Sequence, residues 1–165
     1  MSIGKLFYED IPKFLSALWL LQSTSKVHSR GLTFKLVSDN WITKYRARSF
    51  NNKEPEMLDW LDQNLHNGDV FFDVGANVGI YSIYAALRNS EAKVYAYEPE
   101  YSNLHQLKMN IINNHLMDNV IPYSIAFSDK TEISHLHIQD MTPGAALHTT
   151  SNKRLEKTQY GQQVL

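Results

Sequence analysis

The chain has 165 residues, a mass of 19.0 kDa, 43% hydrophobic and 20% charged side chains, which suits one globular domain with a sizeable core and not two full-sized ones. Sixteen basic against 17 acidic residues give a formal charge of -1 with histidine neutral, so no global surplus of positive charge calls for a nucleic-acid backbone as partner. The absence of cysteine excludes disulfides, thiolate metal sites and cysteine nucleophiles, and leaves the compartment open.

Near the start, Phe7, Ile11, Phe14, Leu15, Leu18 and Trp19 recur at helical spacing and predict an amphipathic helix packed on the domain or on a partner. The apolar stretch from Ile11 to Leu21 is broken by Pro12, Lys13 and Ser16 and is too short to span a bilayer; Glu9 and Asp10 ahead of it argue against a secretory signal. No transmembrane segment is expected, and the default location is cytoplasmic. Gln22 to Arg30 reads as a polar connector. Leu32, Phe34 and Leu36 then alternate with Thr33 and Lys35, Asp39-Asn40 suits a turn, and Trp41 to Tyr45 is expected to return as a second strand. Residues 1–50 thus form an N-terminal helix and a small antiparallel hairpin. Lys44, Arg46 and Arg48 are expected on a solvated strand edge, where a contact with an anionic substrate or polyanion is the lesser option.

Residues 51–165 read differently. Pro55 suits a first helical turn, Met57, Leu58, Leu61 and Leu65 form an apolar stripe, and Gly68 closes the helix. Val70 to Val74 predicts a buried strand, Ile80 to Leu87 a helix, Val94 to Tyr97 a strand stopped by Glu98-Pro99, and Leu104, Leu107, Ile111 and His115 the stripe of another helix. Val120 to Phe127 predicts a third buried strand, weakly paired near Pro122. Strand, glycine turn, helix, strand, helix, strand opens an α/β fold with a parallel sheet. Ile133 to Ile138 adds a strand with His135 and His137 on one face and Leu136 and Ile138 on the other, and Ser151 to Gln163, without an apolar period, is expected to be a loose tail.

The chemistry concentrates in Asp73-Val74-Gly75-Ala76-Asn77-Val78-Gly79 and in Tyr97-Glu98-Pro99-Glu100. Gly75 lets the chain turn off a strand tip without a side chain in a ligand's way, Gly79 permits close approach of the following helix, and first-turn amides of that helix favour an anionic group. Twenty-five residues after Asp73, Glu98 stands at the next strand tip, placed to accept two ribose hydroxyls. The dinucleotide pattern G-x-G-x-x-G is not met, since Asn77 occupies the place of its middle glycine, and no Gly-Lys-Ser/Thr follows for a nucleotide phosphate loop. Asp73 suits a cationic ligand; S-adenosylmethionine, a sulfonium with an amino-acid tail, fits. Blander readings stand beside this one: the glycines as a plain tight turn, Asp73 as a helix N-terminal partner, Glu98 as a solvated strand end.

Phe72-Asp73-Val74-Gly75-Ala76-Asn77-Val78-Gly79-Ile80-Tyr81-Ser82 resembles motif I of the FkbM-type methyltransferases, S-adenosylmethionine-dependent enzymes with the class I Rossmann-like fold. Tyr97-Glu98-Pro99-Glu100 with Asn103, Leu107 and Asn110 is similar to the family's second block, and Asn114 with residues 120–129 to its third. Over about Phe50 to Asp140, the resemblance implies that Asp73, Gly75, Ala76, Asn77, Gly79, Glu98 and Ala126 bind S-adenosylmethionine, with Glu98 on the ribose and Ala126 beside the adenine. It implies O-methylation of a hydroxyl on a small-molecule or glycan acceptor.

The family pattern continues into a D-x-E-G block and further strands, which do not occur before Leu165. The expected Rossmann-like methyltransferase sheet is therefore incomplete, and its open edge invites a protein partner or self-association. A shortened chain, a partner that supplies the rest, and a non-catalytic partner-binding domain or methyltransferase remnant are the alternatives; a nicotinamide-dependent oxidoreductase is a weaker one. No catalytic base stands out. His135 and His137 form an H-x-H pair without a third ligand at a telling spacing, so no metal is assigned, and His148 near Pro143-Gly144 could reach a substrate from a loop. The basic residues form no helical stripe, and no nucleic-acid partner is expected.

Overall fold

The computed structural model describes residues 23–129, 134–146, 149–150 and 160–164. The expected N-terminal helix lies outside them. The elements are β1 (Thr24–Ser29), β2 (Leu32–Val37), α1 (Trp41–Lys53), α2 (Pro55–Asn64), β3 (Val70–Val74), α3 (Ile80–Arg88), β4 (Lys93–Tyr97), α4 (Tyr101–Asn113), β5 (Val120–Tyr123), β6 (Ser134–Ile138), β7 (Thr149–Thr150) and β8 (Tyr160–Val164). The fold is α/β and Rossmann-like, built on a parallel sheet ordered β3-β4-β5 with β3 at one edge.

The hairpin exists, but it is displaced by one strand from the sequence expectation. The segment from Gln22 to Arg30, expected as a connector, carries β1, which pairs antiparallel with β2 around Arg30-Gly31. Both turn residues have positive φ, 47° and 85°, the two-residue geometry whose twist matches that of the flanking strands. Trp41 to Tyr45 is not a returning strand but the start of α1. Asn40, read as a turn residue, is its N-cap: the side chain accepts from the Ile42 and Thr43 amides at 2.9 and 3.0 Å, and Thr43 reaches back to the Asn40 amide. Lys44, Arg46 and Arg48 consequently lie on a helix and not on a strand edge.

On one side of the parallel sheet, Phe71, Val94, Ala96 and Val120 meet α3 and α4, and the hairpin and α1 close over those helices. Val27, Phe34 and Leu36 of the hairpin, Phe50 of α1, Leu58 and Leu61 of α2, and Ile83 and Tyr84 of α3 belong to one buried core. On the other side no helix covers the sheet among the described residues. Val70, Phe72 and Val74 are 51 to 58% exposed, and Phe72, Tyr95, Tyr97 and Tyr123 stack across the strands with centroids 5.4 Å apart for Phe72–Tyr95 and 5.2 Å for Tyr97–Tyr123.

Two further expectations are corrected. The third parallel strand ends at Tyr123 and does not run to Phe127; Pro122 faces Ala96 without an amide to donate, and only Val120 of the four residues is buried. Of the tail expected to be loose, residues 151–159 lie outside the described residues, and Tyr160–Val164 pairs antiparallel with β6, whose other edge takes β7. Backbone pairing at a sheet edge needs no apolar period, which is why the sequence carries no sign of it. On β6 the expected two faces blur, since His137 is buried together with Leu136 and Ile138 while His135 is exposed. No described helix is long and apolar enough to cross a membrane.

The hairpin turn is fastened to the helices by charge. Arg30 donates to Asp59 at 2.6 Å and to Asp62 at 2.8 Å, Arg88 approaches Asp62 at 3.1 Å, and the Tyr84 hydroxyl donates to Asp62 at 2.7 Å. Burial raises the Asp62 pKa, but the hydrogen bonds from Arg30 and Tyr84 and the charges of Arg88 and Arg30 outweigh it, and the net direction is down. A lowered folded pKa means that this stabilisation is complete above the ordinary carboxylate range and is lost as pH falls through the folded value. Urea denaturation should therefore show Asp62→Asn less stable than wild type at neutral pH, with the gap closing on acidification. A gap that does not change with pH would refute the electrostatic account.

Candidate functional site

The carboxyl ends of β3 and β4 meet at the glycine turn, the edge where parallel α/β sheets hold ligands. The amides of Gly75 and Ala76 both donate to the Tyr97 carbonyl, at 2.9 and 3.0 Å, which ties the turn to the tip of the next strand. Gly75 has φ +81° and open space where a Cβ would stand, so it turns the chain and leaves room beside it. Gly79 has φ +77°, but a Cβ there would lie 2.1 Å from Leu107 Cδ1. The close approach that this glycine permits is between α3 and α4, not toward open space.

Asp73 and Glu98 point into the same corner with different tasks. Asp73 accepts from the Ser82 hydroxyl and from the Ser82 amide, and so holds the first turn of α3. Glu98 is 5% exposed and bridges two segments: one carboxylate oxygen accepts from the Asn77 amide at 2.8 Å, the other from the Glu100 amide at 2.8 Å. Burial pushes both carboxyls above their ordinary values. Ser82 works against this at Asp73, and the amides of Glu100, Asn77 and the Asn103 side chain work against it at Glu98, where the nearby Glu100 charge adds to the rise.

The amides of the turn are largely spent inside the protein. Beyond those of Gly75, Ala76 and Asn77, the Val78 amide donates to Asn77 Oδ1 at 2.9 Å and the Gly79 amide to the Ala76 carbonyl at 2.8 Å. Of the first-turn amides of α3, expected to favour an anion, that of Ser82 is taken by Asp73; with two carboxyls in the corner, the acceptor set suits a hydroxyl or a cation better than a phosphate.

Sequence reading missed the strap that covers this corner. Asn77, in the left-handed region at φ 53°, donates its side-chain amide to the Ala145 carbonyl at 2.6 Å. Buried Asn103 accepts from the Gly144 amide at 2.7 Å and donates to the same Ala145 carbonyl at 3.2 Å. From the other side, Arg46 donates through Nε and Nη2 to the Gly144 carbonyl at 2.8 and 2.6 Å. A Cβ on Gly144 would come to 3.0 Å from both Ile42 and Thr43, so glycine is what lets the strap lie on α1. The Pro143-Gly144 pair was the only signal, and it marked a loop without marking its partners. Glu100, with its side chain capping α4 through the Ser102 and Asn103 amides at 2.8 and 2.7 Å, was also missed as a support of Glu98. Asp73, Gly75, Ala76, Asn77, Gly79 and Glu98 are thus gathered at one place. Ala126 follows β5 and packs against Leu136 and Ile138.

Beyond the strap lies a cleft of about 480 Å³ between α1 and residues 139–146, with Trp41, Tyr45, Arg46 and Asp140 in its walls. Its volume is within the range of small-molecule sites.

No protein-family model matches the sequence, and no curated protein matches it at a significant level. Solved structures do. A SAM-dependent methyltransferase from Agrobacterium tumefaciens is 16% identical over 63% of this chain and 33% of its own, with a TM-score of 0.46. TYW2 of M. jannaschii, solved in complex with AdoMet, is 25% identical over 61% of this chain and 42% of its own, TM-score 0.44. Trm5 of Methanocaldococcus jannaschii, in complex with adenosine, is 21% identical over 62% and 29%, TM-score 0.40. The chain therefore spans between about a third and two fifths of the first structures it matches.

Gly79→Ala should cost about 2–4 kcal/mol, from the left-handed backbone and the collision with fully buried Leu107. In a double-mutant cycle, Leu107→Ala should recover part of that cost. Full additivity of the two changes would show that the contact is not the cause.

Proposed function

We propose that residues 51–165 are part of an S-adenosylmethionine-binding domain, and that the chain belongs to an FkbM-type O-methyltransferase acting on a hydroxyl of a small-molecule or glycan acceptor. The observation that carries this reading is the corner of Asp73 and Glu98 around an open glycine turn. Two partly desolvated carboxyls favour a cationic, hydroxyl-rich ligand, and the internally spent amides disfavour the pyrophosphate of a nicotinamide dinucleotide. Bound there, S-adenosylmethionine supplies a methyl group on a positively charged sulfur. Asp73 offers its negative charge to the cationic end, Glu98 its remaining acceptor capacity to the ribose, Gly75 clearance, and Asn77 a tether for the strap that limits water. Ala126, beside Leu136, is the residue of the adenine side in this reading. Alignment of the acceptor supplies the barrier reduction, and no base is assigned.

Calorimetric titration with S-adenosylmethionine and S-adenosylhomocysteine should give saturable binding, with NAD inert. Glu98→Ala should abolish it; Glu98→Gln, which keeps the shape of the corner, should weaken it about tenfold or more, as expected for loss of a charge-assisted hydrogen bond. A folded wild-type chain, verified by circular dichroism, that binds neither ligand would sink the proposal. Because the Asp73 and Glu98 carboxyls titrate above the ordinary range, affinity for the cationic ligand should rise with pH through that raised range, and Asp73→Asn should flatten the rise. An affinity indifferent to pH in the wild type would remove the electrostatic role of this pair.

A second reading, a non-catalytic Rossmann-like partner-binding domain, is favoured by the sheet face that no described helix covers, with its exposed Val70, Phe72 and Val74. It predicts binding of neither cofactor form together with reversible self-association or partner capture, measured by sedimentation.

A further inference from the structure

The strap of Gly144 and Ala145 divides two compartments. Its successive carbonyls are held from opposite sides: Ala145 by Asn77 and Asn103 at the glycine turn, Gly144 by Arg46 at the cleft. Arg46 is half-buried in the cleft wall, and among the described residues no carboxylate lies within ion-pair distance of it. A guanidinium carries five N–H donors, and the Gly144 carbonyl engages one from Nε and one from Nη2. The remaining donors form a planar fork suited to two parallel bonds with an oxyanion.

The other walls agree with this chemistry. Trp41 and Tyr45, one turn apart on α1, are 73% and 56% exposed and line the same cleft, presenting aromatic surface to whatever enters. Lys53, also in the lining, is already committed to Glu54 at 3.3 Å. Asp140, the acid of the lining, turns one oxygen to the Thr142 amide at 2.8 Å within its own loop. A half-buried guanidinium held by a neutral carbonyl is costly to keep: burial lowers the Arg46 pKa, and the more distant charges of Glu54 and Glu98 offset this only in part. A ligand anion would offset that cost.

We propose that the cleft beside Arg46 is the acceptor subsite, and that it takes a molecule with an apolar or aromatic body bearing a carboxylate or phosphate, the oxyanion on the Arg46 fork and the body against Trp41 and Tyr45. This rests on the methyltransferase reading for the word acceptor, but the anion site itself does not depend on it. It narrows the acceptor from any hydroxyl compound to an anionic one.

The test uses phenyl phosphate and benzoate as the two anion arms, benzyl alcohol as the neutral control, and the full chain without cofactor, followed by NMR shifts of the Trp41 indole. Both or either anion should saturate the shifts while benzyl alcohol leaves them near baseline, and the tighter arm identifies the oxyanion. Arg46→Gln should weaken the anion about tenfold or more, Arg46→Lys should restore part of it, and Trp41→Ala, titrated by calorimetry because it lacks the reporter indole, should weaken phenyl phosphate more than inorganic phosphate. Affinity for S-adenosylmethionine, measured separately, should change less than about twofold in Trp41→Ala, a difference below the value of one ordinary contact. Anion binding without cofactor binding would keep the cleft and sink the cofactor site. The proposal is overturned if neither anion binds, if Arg46→Gln and Arg46→Lys both bind as wild type does, or if Arg46→Lys abolishes cofactor binding while anion shifts persist, which would assign the guanidinium to the cofactor's own carboxylate.

Discussion

Four buried or half-buried amide side chains on one face of α4 and its C-terminal cap hold the protein together. Asn103, Gln106, Asn110 and Asn114 recur at intervals of three and four residues and so form a single stripe. Each is used as a connector to backbone that has no sheet partner there. Asn114 accepts from the Lys35 amide at 2.9 Å and donates to the Lys35 carbonyl at 2.7 Å, standing in for a neighbouring strand. Asn110 accepts from the Val37 amide and donates to the Val78 carbonyl, both at 2.7 Å, and so joins the hairpin to the glycine turn. Gln106 donates to Val37 and Asp39, and Asn103 holds the strap. Losing one of these amides would strand buried backbone groups, at about 1–3 kcal/mol for each unsatisfied group. The arrangement explains how a hairpin with no place in the parallel sheet comes to lie over the helices in a fixed register.

The same stripe accounts for much of the site. The glycine turn is positioned from below by the Tyr97 carbonyl, from beside by Glu98 and from above by Asn110 and Asn77. Little of its geometry rests on the turn's own conformational preferences. A ligand would therefore meet a preorganised corner, and the strap over it is mounted on α1 and α4 together.

The elements of the parallel unit were legible because apolar runs of the right length alternate with helical stripes, and because a glycine turn followed by an acid at the next strand tip is a local pattern. The hairpin was misplaced for an equally local reason. Asp39-Asn40 is a good turn sequence, but Asn is as good an N-cap, and only Thr43 three residues on, reaching back to the Asn40 amide, decides between them. Arg30-Gly31 carried a weaker turn signal than the usual Asn-Gly. The edge strand Tyr160–Val164 left no trace, since its pairing is made by backbone atoms. Of the site, Asp73, Glu98 and the glycines could be read from spacing; the roles of Arg46, Asn103 and Ala145 could not, because they depend on contacts between residues 41 to 98 positions apart in the chain.

The stacked rings on the sheet face that no described helix covers have an optical consequence. Phe72 and Tyr123 each lie 5.2 to 6.3 Å from both Tyr95 and Tyr97 on the strand between them, and Phe127 meets Tyr97 edge-on at 4.8 Å. Rings fixed this closely in a chiral frame couple their transitions, so the face should carry its own near-ultraviolet circular dichroism. Any molecule or chain segment that came to lie on it would change that band, and the protein thus holds a built-in reporter of whether this face is covered.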